Sequence, residues 1–299
     1  MAGTFTAVDL SQLPAPDVIE PLDFEAIFAA MLADLQARDP DFSALVESDP
    51  AFKILQVAAY RELLLRQRIN EAAHAVMLPY ALGADLDNLA GLFGVVRLVV
   101  DPGDPSAIPP VPPTLESDAD FRRRVTLSME GFSTAGPVGA YIFHALSASG
   151  DVLDASVISP EPGEVRVTVL SRDGNGAPSS ELLAAVSSAL NDQDVRPLTD
   201  TVIIQAPVIE TFTIEATLYF FSGPDAGVVM QSAQAAAQAY ADAQRRLGRD
   251  ITLSGIYAAL HQPGVQRVDL AEPSANIVIG PTEAAFCTGI TLTDGGVDG

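Results

Sequence analysis

The sequence predicts an α+β fold. An N-terminal helical region with a long helix precedes two small α+β units, whose helices pack on short, mainly antiparallel sheets. Three observations predict it. Apolar residues recur at helical spacing through positions 22 to 97, six prolines interrupt the chain between 101 and 113, and two-residue alternation recurs only beyond them. The division expected is residues 1–100 as an N-terminal helical assembly region, 101–117 as a Pro-rich linker, 118–206 as a central α+β domain, 207–283 as a C-terminal α+β domain and 284–299 as a tail.

In the first part, Phe24, Ile27, Phe28, Met31, Leu32 and Leu35 mark one helix, ending at Asp39-Pro40. A second runs from about Ala51 to Leu78, opened by Ser48-Asp49-Pro50 and stopped before Pro79, which disfavours helix in the residue preceding it. Its apolar residues spread far around the axis: Ile54, Val57, Leu55, Leu63, Leu64, Leu65, Ile69, Val76 and Met77. A surface helix shows one stripe, so this one predicts neighbours on several sides. Leu55, Leu63, Leu64, Leu65, Ile69 and Val76 are the candidate assembly-interface residues.

The stretch GADLDNLAGLFGVVR, residues 83 to 97, looks like a calcium loop and like a helix. Counted from Asp85 as first ligand, the fifth place holds Leu89, the sixth Ala90 and the twelfth Val96, where an oxygen ligand, a glycine and a bidentate Glu belong. As a helix, Leu82, Leu86, Leu89 and Phe93 share a face, Asp85 suits the dipole at its start and Gly94 stops it. The helix is the better reading.

The stretch DPGDPSAIPPVPP excludes helix and central strand and predicts a stiff, extended connection. Ser117-x-x-Asp120 then resembles a capping box opening a helix that carries Arg122, Arg123 and Arg124, expected on a solvated face or in salt bridges with acidic neighbours. A helix from Pro137 to about Ala148 leads to a strand, Val152 to Ser159, and then to EVRVTVL, with Val165, Val167 and Val169 on one face. SRDGNGAPSS is a turn-rich loop, a helix carries Leu182, Leu183, Val186 and Leu190, and RPLTD opens a strand to Ala206. Arg196 is expected to pair with a carboxylate or to cap carbonyls there.

In TFTIEATLYFF, Phe212, Ile214, Ala216, Leu218 and Phe220 face one way. Ser222-x-x-Asp225 caps a helix with inner positions Ala226, Val229, Ala233, Ala236, Tyr240, Ala243 and Leu247, mostly alanines that permit a close approach to the sheet. A short helix with Ile256 and Leu260 and the strand GVQRVDL follow. The segments 150–160 and 264–273 echo each other weakly, as a duplicated unit or as two similar α+β solutions.

Charge and motifs limit the function. With 16 basic and 39 acidic residues the net charge is −23, which repels nucleic acid and anionic membrane. MAGTFTAVDL lacks the basic start and apolar core of a signal peptide, and no run approaches the ~18 apolar residues of a membrane helix. A soluble protein made in a reducing host cytoplasm is expected. Cys287, the single cysteine, allows no intrachain disulfide and no thiolate zinc cluster, and is expected to be a small buried residue. His74, His144 and His261 lie on three segments without a second His at ligand spacing. GFSTAG departs from a nucleophile elbow, because Ala135 stands where glycine should follow Ser133. DGNGAP is too short for a dinucleotide fingerprint, there is no Walker loop, and Asp192 and Asp194 sit in a turn after a helix. No catalytic, cofactor-binding or metal residue is therefore nominated, no cofactor or small-molecule substrate is expected, and the features describe an assembly component better than an enzyme.

YALGADLDNLAGLFGVVR resembles the signature of the baseplate J-like proteins of contractile-tailed phages and related contractile bacteriocins. ESDADFRRRV, GFSTAGPVGAYIFHALSAS, VLDASVISPEPGEVRVTVLS, DVRPLTD and LGRDITLSGIYAALHQPGVQRVDL follow in the family's order, while the Pro-rich stretch and the last fifteen or so residues carry none of the resemblance. The resemblance implies a structural role in a baseplate wedge. There two J-like chains join a smaller tail protein, protein I, in a three-chain core, six wedges close a ring around the spike and hub, and ring rearrangement triggers sheath contraction. Neighbouring wedges, spike or hub and sheath-initiating proteins are the further partners implied. Two other classes stand beside it: a tail-associated envelope hydrolase, which would need paired carboxylates or a histidine site, and a tail-fibre or receptor-binding module, which would show repeats and β-rich distal domains.

Overall fold

A computed structural model describes residues 16–133, 135–223 and 225–297. The chain forms two compact units: a helical unit up to Val96 that also holds Asp118–Arg122, and a second unit of Arg97–Ser117 and the chain from Arg123 onward.

In the helical unit, α1 (Phe24–Arg38) begins at Asp23, whose carboxylate accepts the Glu25 and Ala26 amides at 2.9 and 3.3 Å. After a 3-10 turn at Pro40–Ala44, α2 (Pro50–Ala75) starts with proline at its first position, where the missing N–H costs nothing. Phe28 of α1 meets Phe52 of α2 edge-on, ring centroids 4.8 Å apart. α2 ends three residues before the expected Leu78: the Met77 amide turns back to the His74 carbonyl at 3.1 Å. The start of the 83–97 stretch is helical as read, with α3 spanning Gly83–Gly91 and a turn following it. Leu86 and Ala90 are its buried residues, whereas Leu82 precedes the first turn and is 65% exposed, a correction to the expected face. Gly94 serves the stop three residues past the helix end, at φ +69°, with the Val95 amide returning to the Ala90 carbonyl at 3.2 Å.

The second unit opens with the Pro-rich stretch. It doubles back instead of extending: β1 (Val99–Asp101) pairs antiparallel with β2 (Thr114–Leu115), and Asp104 and Val111 bridge between them. The helix α4 (Asp118–Gly131) follows, then α5 (Val138–Ala148). The central subdomain is a sheet in the order β3-β4-β5, from β3 (Val152–Ile158), β4 (Glu164–Ser171) and β5 (Thr201–Gln205), with α6 (Ser180–Leu190) between the last two. Val167 and Val169 are fully buried and Val165 nearly so, as the alternation requires. Thr168 and Leu170, on the opposite face, are fully buried as well, and Gln205 Nε2 donates to Thr168 Oγ1 at 2.9 Å.

In the C-terminal subdomain, the sheet order is β7-β6-β8. The strands are β6 (Val208–Phe220), β7 (Val265–Glu272) and β8 (Glu283–Val297); α7 (Ala226–Gln244) and α8 (Leu253–Leu260) lie between β6 and β7. Phe212, Ile214, Ala216, Leu218 and Phe220 form one core with Val229, Ala233, Ala237, Ile256 and Leu260. The buried ridge of α7 is Val229, Ala233, Ala237 and Ala241, an i+4 row; Ala236 and Tyr240 are only partly buried, Ala243 is exposed, and Leu247 lies past the helix. Its N-cap is Asp225, whose Oδ1 accepts the Gly227 amide at 2.8 Å. Residues 284–297, read as part of a tail, belong with Glu283 to β8 and pair along β6.

The α+β class holds. Each three-stranded sheet joins one antiparallel and one parallel pair: β4 with β3 and β5, β6 with β7 and β8. The two middle strands occur at different places in chain order, second among three in one sheet and first in the other.

Candidate assembly interface

The six residues nominated on α2 divide into two groups. Leu55 and Leu63 are partly buried, and the neighbouring Ala59 is fully buried. Leu64, Leu65, Ile69 and Val76 are exposed at 37%, 66%, 61% and 69%, and Ile54 and Val57 join them at 68% and 63%. At 100° per residue, Ile54 and Leu65 lie about 20° apart with Ile69 about 40° further round, and Val76, the residue that caps the helix, continues the line to roughly 33 Å. Arg61 and Arg68 flank this line, and Arg68 pairs with Glu71 at 3.6 Å. Across the helix, Arg66 is held by Glu62 at 2.7 Å and Glu20 at 3.0 Å. This apolar line is the part of α2 left exposed in the described chain.

Several residues of the types that could carry chemistry make structural contacts instead. The His74 ring stacks on Tyr80 at 4.8 Å. His144 Nε2 lies 3.3 Å from the Gly131 carbonyl, and burial lowers its pKa. His261 ends α8, its amide donating to the Tyr257 carbonyl. Ser133 Oγ accepts the Ala135 amide at 3.4 Å, and Asp192 Oδ1 accepts that of Asp194 at 2.9 Å. Among the described residues, no group of three His, Cys, Asp or Glu could hold a metal ion, and no helix is long and apolar enough to cross a membrane.

Two local expectations are corrected. Arg196 Nη1 donates to the Asn191 side-chain oxygen at 3.2 Å, not to a carboxylate or a backbone carbonyl, because the turn after α6 brings Asn191 within reach. Cys287 is half-buried against the C-terminal core, its thiol directed at the Gly289 carbonyl at 3.4 Å, and burial raises its pKa. The arginine triplet is wholly committed. Arg122 Nε and Nη2 donate to the carbonyls of Leu78 and Ala81, Arg123 pairs with Asp154 at 2.7 Å and Arg124 pairs with Glu116 at 2.7 Å.

Sequence reasoning missed the joint between the two subdomains. Arg245 Nη2 faces the carbonyls of Ser171, Arg172, Asp173 and Gly174 at 2.9 to 3.4 Å, and Arg246 Nη1 donates to the Leu153 carbonyl at 2.5 Å. Only the adjacency of two arginines at a helix end hinted at it.

The described residues form helices and small sheets, with an exposed apolar line on α2, and the comparisons give the family of this architecture. Residues 47–104 match the baseplate J-like N-terminal domain, 133–206 the baseplate J-like central domain and 212–293 the baseplate J-like protein C-terminal domain. Baseplate protein J of Escherichia phage P2 is 50% identical over 298 residues, covering 97% of this chain and 99% of that one. The chain belongs to the baseplate J-like protein family. A structural likeness to the cryo-EM structure of the anti-feeding prophage baseplate, 6-fold symmetrised, has 16% identity and a TM-score of 0.38 over 60% of this chain and 44% of that one, too distant to carry an argument.

Proposed function

We propose that this chain is a structural component of a contractile-tail baseplate, that it builds the wedge core with a second copy of itself and a smaller tail protein, and that it takes part in the ring rearrangement that triggers sheath contraction. Its relation to baseplate protein J of phage P2 supports the baseplate role. The observation that carries the finer reading is the exposed line of Ile54, Leu65, Ile69 and Val76. Full burial of one such side chain stabilises by roughly 1.5–3 kcal/mol, so leaving four in water forfeits an amount comparable with a domain's net stability of about 5–15 kcal/mol. A shared helical bundle recovers it.

The test is electron microscopy of particles made without this chain. Tails without baseplates are the expected result. Complete baseplates would overturn the assignment, and normal tails lacking only fibres would make the chain a fibre component. Co-purification with the smaller tail protein, abolished by Leu65→Ser with Ile69→Ser, tests the wedge reading; capture that survives both changes counts against α2 as the contact.

A further inference from the structure

We infer that the central and C-terminal subdomains move as one rigid body, clamped by Arg245, Arg246 and Asp154, and do not hinge at Ala206-Pro207. Two subdomains, each with its own core and joined by two residues, would by default move relative to each other. Three features oppose that here.

The first is the clamp itself. The Arg245 guanidinium leaves the end of α7, lies over the Phe286 ring at 5.4 Å and spans the carbonyls of residues 171 to 174 through Nη2. Beside it, Arg246 takes the Leu153 carbonyl of β3 at 2.5 Å, and the Leu247 amide donates to Asp154 Oδ2 at 3.0 Å. Asp154 is 4% exposed, and its other oxygen accepts Arg123 Nη2 at 2.7 Å. One buried carboxylate thus joins α4 to the C-terminal subdomain. Ser156 Oγ adds a bond from β3 to the Pro281 carbonyl at 2.5 Å.

The second feature is that both halves of the clamp are themselves fixed. On the central side, the Ser171 amide donates to the Gly176 carbonyl at 2.8 Å, the Gly176 amide to that of Asp173 at 3.0 Å, and the Arg172 amide to that of Asp151 at 2.8 Å. On the C-terminal side, Leu247 bridges to Ala284, and the Gly248 amide donates to the Glu283 carbonyl at 3.1 Å, which ties the arginine segment to β8. A contact between two anchored segments transmits displacement; one between loose loops would absorb it.

The third is the junction. Pro207 is buried and its ring fixes φ, so the two-residue connection has little freedom to act as a hinge. Of the chain's family-defined domains, the central and C-terminal ones are therefore a single mechanical element.

Paired spin labels on the full chain test this. Ser188→Cys on α6 and Ala239→Cys on α7 place labels at exposed positions of the two subdomains, in a Cys287→Ala background. Double electron–electron resonance should give one narrow distance peak, and Arg245→Ala with Arg246→Ala should broaden it or add a second population without changing the far-UV spectrum. A broad or bimodal distribution in the parent overturns rigidity, and a double variant as narrow as the parent overturns the clamp. Should the double variant not fold, Arg245→Lys alone is read in the same way, because it keeps the charge but loses the planar fork.

Discussion

Arg124 and Glu116 form a buried ion pair. Nη2 lies 2.7 Å from Oε2 and Nε 2.9 Å from Oε1, and both side chains are only 4% exposed. Ser147 Oγ lies 3.2 Å from Nη1, and the Leu98 amide donates to Oε2 at 3.3 Å. Removing two charges from water costs several kcal/mol each, and only close bidentate geometry with further hydrogen bonds offsets that. The pair fastens α4 to the segment entering it.

Glu116→Ala should therefore destabilise the second unit by roughly 3–5 kcal/mol, because it leaves a guanidinium buried and unpaired. Replacing both residues, Glu116→Leu with Arg124→Met, should cost less than the single change. Denaturant unfolding of the full chain measures both. A single variant within about 1 kcal/mol of the parent would show that water reaches the arginine.

Tyr141 donates its hydroxyl proton to Asp200 Oδ2 at 2.8 Å. Burial first, then the bond to Asp200 and its charge, raise the phenol's pKa above the ordinary 10.0. The folded chain thus favours the protonated phenol. The stability this group contributes is complete below pH 10.0 and is lost as pH climbs from there toward the folded value. Tyr141→Phe should cost about 1.5–3 kcal/mol near neutrality, the range for a hydrogen bond to a charged group, and the difference from the parent should shrink above pH 10.0. Melts at neutral and alkaline pH decide it; a pH-independent difference would remove the titration argument.

What was readable in the sequence divides by range. The alternation from Phe212 to Phe220 and the valines of β4 state their buried face locally, since side chains of a strand alternate whatever their partners. α7 was readable as a helix but not in its register: with alanine at 233, 235, 236, 237, 239, 241 and 243, composition does not say which row meets the sheet. Parallel pairing of β8 on β6 was hidden for another reason. CTGITLTDGG is Gly- and Thr-rich without a buried run, and its partner lies about 75 residues earlier. Arg245 and Asp154 were out of reach altogether, because each binds groups brought near only by the packing of two subdomains. On α2 the surplus of apolar residues was plain, but their division into inward Leu55 and Leu63 and outward Leu65, Ile69 and Val76 required α1 in place.

Calcium should leave the helical unit unchanged. Asp85 and Asp87 stand on α3, a nine-residue helix with Leu86 and Ala90 buried, and Gly91, the seventh place counted from Asp85, already accepts the Gly94 amide on its carbonyl at 3.2 Å. The melting temperature should be the same in millimolar calcium and in chelator. Binding to the folded state alone raises stability by mass action, so a rise of several degrees would mean that the stretch holds an ion after all.

The remaining prediction concerns α2 in the protein alone. Leu65 and Ile69 are 66% and 61% exposed on a helix whose other side already packs on α1, so nothing within the described chain covers them. Water contact along this line should drive the isolated chain to self-associate, with Ile54 and Val76 extending the contact to about 33 Å. Leu65→Ser with Ile69→Ser should shift light scattering of the full chain toward monomer. The change should leave the fold's own stability within about 1 kcal/mol, because surface positions contribute little to it. That pairing of results separates an interface from a core: a large drop in stability would place the two residues inside the folded chain. A parent that stays a monodisperse monomer at high micromolar concentration would sink the self-association outright and leave the smaller tail protein as the partner to test.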